Sequence, residues 1–172
     1  MSAAASILEP SIRPVADGDS AALIALIGAV FAEYPGCVLD VDREEPMLRR
    51  PASWTAEQRG EWWVLDFGGM VIGSVAVLPT ARADTAELKK LYLFSSHRRR
   101  GHGQRLVELA ETLARQRACT WMMLWSDTRF GDAHRLYERL GYQRQPEARA
   151  LNDLSATIEY QFIKPLGPVA AR

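Results

Sequence analysis

The chain has 172 residues, is 48% hydrophobic, and balances 21 basic side chains against 21 acidic ones. That is enough for one substantial core and shows no sign of a second domain. The zero formal net charge excludes the broad basic surface that bulk nucleic-acid binding needs. Cys37 and Cys119 lie far apart and form no metal-type cluster, so no metal is expected. No run of about 18 apolar residues marks a membrane span. The N-terminus lacks a basic and then apolar leader, so a cytoplasmic protein is expected.

In chain order, residues 6–15 are expected to give a frayed start and a short first strand. Asp17-Gly18-Asp19-Ser20 supplies capping residues for a helix over 21–31, which ends near the breaker Tyr34-Pro35-Gly36. Residues 37–60 are turn-rich and acidic, with a short helix starting at Ser53. Strands over 61–67 and 70–78 flank Gly68-Gly69, a two-residue hairpin signal. A strand over 86–94, a basic loop and a helix over 104–117 follow. Residues 121–125 are continuously apolar, as suits a central strand. A helix over 132–140 carries Ala133, Leu136, Tyr137 and Leu140 on one stripe, with Gly141 at its C-terminal cap. The last strands are expected over 142–145 and 157–164, with a loose tail from Pro165. No internal repeat is visible. The order implies a three-layer α/β arrangement around one mixed sheet, in a single domain with its core over about 6–165.

The loop between strand and helix is Arg98-Arg99-Arg100-Gly101-His102-Gly103. Unpaired N–H groups at a helix N-terminus and the helix dipole favour an anion there. Gly101 and Gly103 permit close backbone approach. A P-loop would read G-x-x-x-x-G-K-[ST], which is absent. A dinucleotide fingerprint would need a third glycine where Leu106 stands. What remains is Arg98-x-x-Gly101-x-Gly103.

That string resembles the pyrophosphate loop of the GCN5-related N-acetyltransferase (GNAT) superfamily. The preceding AELKKLYL is similar to the family's fourth strand. The later DAHRLYERLGY, with Ala133, Tyr137, Gly141 and Tyr142, is similar to its A-x-x-x-Y-x-x-x-G-[FY] segment. The resemblance covers residues 86–145 in detail. It implies a GNAT-like acyl-CoA N-acyltransferase fold with a mixed, mostly antiparallel sheet flanked by helices, and acetyl-CoA as cosubstrate. It also assigns roles. The backbone of Leu91, Tyr92 and Leu93 would pair with the pantetheine arm. The N–H groups of Arg99, Arg100, Gly101, His102, Gly103 and Gln104 would hold the pyrophosphate. The guanidinium groups of Arg98 to Arg100 would add contacts to phosphates. Tyr137 would protonate the departing thiolate, and Glu87 would serve as general base. The family's usual Asn three residues before the helix alanine is here Phe130; Ser126 to Arg129 would replace its polar contacts.

The acceptor is less determined. Asp40, Asp42, Glu44 and Glu45, flanked by Tyr34, Trp54 and Trp62, suit either a cationic amine or a solvated acidic loop. The expected partner is a small-molecule or peptide amine, with neither nucleic acid nor membrane involved. An exposed strand or the Trp-rich region would serve a homodimer contact. No cysteine stands at a motif position, which favours direct attack in a ternary complex over an acetyl-enzyme. The alternative is a non-catalytic acyl-CoA-binding or regulatory module.

Overall fold

In the computed structural model, which describes residues 9–167, the sheet grows outward from the Gly68-Gly69 turn. Both glycines take positive φ, +61° and +88°, the conformation whose twist matches the strands it joins. The turn links β2 (Glu61–Phe67) to β3 (Met70–Pro79). β1 (Ser11–Pro14) lies antiparallel to β2, and β4 (Thr85–Leu93) antiparallel to β3. β5 (Trp121–Asp127) runs parallel to β4. β7 (Ile158–Pro165) then pairs with β5, and β6 (Gln143–Ala150) forms the far edge. The order is β1-β2-β3-β4-β5-β7-β6, mixed and mostly antiparallel as expected.

Strand alternation sends side chains to both faces, and each face is covered by helices. On one side α1 (Ser20–Phe31) lays Leu23, Leu26, Ile27 and Val30 against Trp62, Val64, Val71 and Ala76, with α2 (Pro51–Glu57) beside it. On the other, α3 (His102–Gln116) and α4 (Gly131–Arg139) cover Leu65, Ile72, Val75, Val77 and Leu88. α3 buries Leu106, Val107, Ala110, Leu113 and Ala114, the i, i+1, i+4, i+7, i+8 pattern of a helix with one apolar face. Among the described residues no helix is long and apolar enough to cross a membrane.

Several expectations need correction. The first strand is confined to Ser11–Pro14, and residues 6–8 lie outside the described part. The short helix starts earlier, at Pro51, because proline at the first helical position needs no N–H partner. β6 extends to Ala150, well past the expected 145. Nearly all its side chains are exposed, so an edge strand interrupted by Pro146 carries no apolar signal. The tail is held at its start: Pro165 pairs with Trp121, and Leu166 is buried. Residues 168–172 lie outside the described part.

Phe162 of β7 is fully buried, its ring 5.5 Å from that of Tyr137 and 5.2 Å from that of His134. Replacing it by alanine should cost about 3–5 kcal/mol through lost transfer energy and the cavity left behind. Denaturant unfolding of Phe162→Ala against the parent chain measures this.

Candidate active site

Pairing between β4 and β5 extends only from Thr85–Trp121 to Glu87–Met123. Beyond it the two strands part, and β4 loses its neighbour on that side. A bulge sits in the freed stretch: Ser74 pairs with Tyr92 and Ala76 with Lys89, so Lys90 and Leu91 together face Val75. Lys90 takes a positive φ of +54°, and its carbonyl accepts a 2.6 Å bond from the Ser74 hydroxyl. Bulges re-aim side chains and end regular pairing. A cavity of about 380 Å³ opens in the parting, lined from β4 by Leu88 to Tyr92 and from β5 by Trp125, Ser126 and Asp127.

The glycine-containing loop starts where β4 ends. Arg98 does not reach into space: its Nε donates to the Leu93 carbonyl at 3.1 Å, and both terminal nitrogens grip Glu33 at 2.6 and 2.7 Å. Its guanidinium is therefore spent on fastening the loop to the segment just past α1. Arg99 (φ +61°) and Gly101 (φ +82°) turn the chain into α3. Arg99 and Arg100 make no ion pair among the described residues and are largely exposed, as a phosphate contact requires. The N–H groups of Arg99 through Gln104 make no backbone hydrogen bond among the described residues, the first helical bond being Arg105 to Gly101. A Cβ on Gly103 would lie 3.1 Å from Leu136 Cδ2, so glycine there permits α3 to start against α4.

Tyr137 lines the cavity from α4, one turn after Ala133. It is 5% exposed, and burial pushes its hydroxyl pKa well above the usual tyrosine value, so the group is neutral. Tyr92 is also held protonated by burial. Glu87 does not line the cavity; its carboxylate takes the Lys89 ammonium at 3.1 Å.

The acceptor side differs from expectation. Of the acidic loop only Glu44 and Glu45 line the cavity. Asp40 folds back on the N–H groups of Asp42 and Arg43, and Asp42 pairs with Arg49. Trp54 and Trp62 pack edge-on in the core; the lining aromatics are Phe31, Tyr92, Trp125, Phe130 and Tyr137. Phe130, the departure from the family pattern, packs on Tyr34 at 4.8 Å and Phe31 at 6.0 Å, closing an aromatic wall between α1 and α4. Asp127 is committed to Arg129 and Ser126 to His134.

Five lining residues that the sequence did not tie to a site, Leu151, Asp153, Ser155, Thr157 and Glu159, sit in the β6–β7 connection or at the start of β7. Ser155 ties this connection to the loop after α1 through Val38. Together Glu44, Glu45, Asp127, Asp153 and Glu159 face Lys89 and Lys90, a lining with a formal excess of three negative charges. Cys37 also lines the cavity, and burial raises its thiol pKa, which disfavours a thiolate nucleophile. Among the described residues no cluster has the make-up of a metal site.

A family described as "Acetyltransferase (GNAT) family" matches residues 27–142. The rat protein named N-acetyltransferase family 8 member 2 is 33% identical over 90 residues, 49% of this chain and 39% of its own length. The chain spans 39 to 60% of the length of the curated relatives it matches. Among solved structures, an acetyltransferase from Streptococcus agalactiae superposes with a TM-score of 0.77 at 19% identity, covering 91% of this chain and 98% of that one. The PaiA N-acetyltransferase of Thermoplasma acidophilum, in complex with coenzyme A, gives 0.67 at 15% identity, covering 90% and 98%.

His134 packs between Tyr160 and Phe162, with Nε2 3.1 Å from the Ser126 hydroxyl. Burial lowers its pKa from the ordinary 6.5. The folded state therefore favours neutral imidazole, and the unfolded chain takes up the proton first as pH falls. The stability from this site is present above about pH 6.5 and is lost as pH falls toward the lower folded value. Unfolding free energies at pH 7.5 and 5 should differ less for His134→Gln than for the parent.

Proposed function

Because the chain belongs to the acetyltransferase (GNAT) family, we propose that it moves the acetyl group of acetyl-CoA to a primary amine by direct attack in a ternary complex, as a single N-acetyltransferase domain. The observation that carries this reading is the cavity at the β4–β5 parting. The β4 edge from Leu88 to Tyr92 lines it on one side, and the carboxylates of Glu44, Glu45, Asp153 and Glu159 line it on the other.

The pyrophosphate is held by the N–H groups of Arg99 to Gln104, where the α3 dipole and unpaired donors favour it. Arg98 positions this loop, while Arg99 and Arg100 supply charge toward phosphate. The pantetheine arm pairs with the backbone of Leu91, Tyr92 and Leu93, and the same segment polarises the thioester carbonyl. The aromatic wall of Phe31, Tyr34 and Phe130 replaces the polar contact that asparagine makes in relatives.

An amine reaches the cavity protonated, since an alkylamine pKa is about 10.4. The negative lining draws it in as a cation, and its proton must leave before attack. Glu44, Glu45 and Asp153 line the cavity and Glu87 does not, so these carboxylates are better placed than Glu87 to receive that proton directly or through water, although Glu45 already carries the Lys90 ammonium. Nitrogen then attacks the thioester carbon, the tetrahedral intermediate collapses, and Tyr137 protonates the departing sulfur. The raised thiol pKa of Cys37 supports direct attack over an acetyl-enzyme. The negative lining favours polyamines, aminoglycosides or peptide amines over anionic acceptors.

Release of coenzyme A thiol over an amine panel tests the reaction, with Tyr137→Phe as the diagnostic variant. Its kcat should drop by about 100-fold or more, with the KM for acetyl-CoA little changed. Equal rates would remove the acid role. Saturable acetyl-CoA binding without thiol release for any amine would leave a non-catalytic binding module.

A further inference from the structure

Of the 21 basic side chains only three are lysines, at positions 89, 90 and 164. Lys164 is committed to buried Glu111 at 2.7 Å. Lys89 leans on Glu87, with its side chain 35% exposed. Lys90 differs: its side chain is 8% exposed, lies within the cavity and pairs with the Glu45 carboxylate. A lysine rarely adopts a positive φ, because its Cβ crowds the backbone there. The β4 bulge holds Lys90 in that state, next to the residues that would carry the pantetheine arm.

We propose that Lys90 is an internal acyl acceptor, and that the chain acetylates its own Lys90 from acetyl-CoA bound in the cavity. This rests on the acetyl-transfer reading above. The ammonium passes a proton to Glu45, which is already its hydrogen-bond partner. The neutral amine attacks the thioester carbon, forming the C–N bond. Collapse breaks the C–S bond, and the sulfur takes a proton from Tyr137. Tyr137 regains one from the nitrogen. The products are N6-acetyllysine, coenzyme A thiol and the proton left on Glu45. Burial lowers the Lys90 pKa, which eases the first step. Acetylation removes the ammonium from Glu45 and leaves that carboxylate to an incoming cationic amine, so the modification conditions the acceptor side of the same cavity.

The test incubates the full chain with radiolabelled acetyl-CoA and no amine, followed by intact mass and peptide mapping. One acetyl group per chain is expected, on Lys90, at a rate that saturates in acetyl-CoA and does not depend on protein concentration. Isolating a chain that already carries the group at Lys90 is the same outcome. Lys90→Arg, which keeps a cation on Glu45, should take no label. Glu45→Gln should slow labelling by about 100-fold. Equal labelling of Lys89, Lys90 and Lys164, or a rate that rises with protein concentration, overturns the assignment. No label while the amine panel is acetylated overturns Lys90 alone. No label and no acetylated amine overturns the acetyl-transfer reading as well.

Discussion

The parting of β4 from β5 after Glu87–Met123 is the constraint on which the rest depends. Two parallel strands that stay paired would leave a continuous sheet with no room between them. Here the parallel contact lasts three residues and then opens. The freed edge of β4 faces an opening instead of a neighbour, and backbone groups there look for partners. The bulge at Lys90–Leu91 belongs to the same event, because β4 bends away where pairing on both sides is weakest. A coenzyme arm in extended form is a natural substitute for the missing strand.

Charge pairs then fasten the walls of the opening. Arg98 clamps the loop after β4 to the end of α1 through Glu33, while its Nε satisfies the Leu93 carbonyl. Lys90 and Glu45 join β4 to the loop before α2. Arg129 and Asp127 brace the turn between β5 and α4. Away from the cavity, Glu111 of α3 is held by Lys164 of β7 and by Arg115. Removing one partner of such a pair costs more than replacing both, since it strands a charge in a low-dielectric setting. The loop after β4 and the turn before α4 therefore share one frame, because Glu33 and Phe31 at the α1 end contact both.

The aromatic wall has a similar logic. Phe130 lines the cavity with its ring partly buried. Tyr34 and Phe31 cover it, trading a hydrogen bond for apolar area and ring packing. On the opposite wall Arg149 lies 4.2 Å over the Trp125 ring while its Nε holds Glu159 at 2.7 Å. This wall of the cavity thus joins β5, β6 and β7 side by side.

How much of this was legible follows from the range of each interaction. Hairpin glycines, helix stripes and the Arg98-x-x-Gly101-x-Gly103 spacing are local, so the sequence alone determined the element order, the α/β class, the glycine-containing loop that opens α3 and the place of Tyr137 on α4. β6 was underestimated because an exposed edge strand has no apolar alternation to read. The commitment of Arg98 to Glu33, 65 positions away, could not be read from the loop. Nor could the entry of Asp153 and Glu159 into the cavity, or the exclusion of Glu87, Trp54 and Trp62 from it. These depend on where β4 and β5 part and on β7 inserting between β5 and β6. Only tertiary structure decided them, because a side chain's partner across the sheet is set by packing and register, not by its neighbours in the chain.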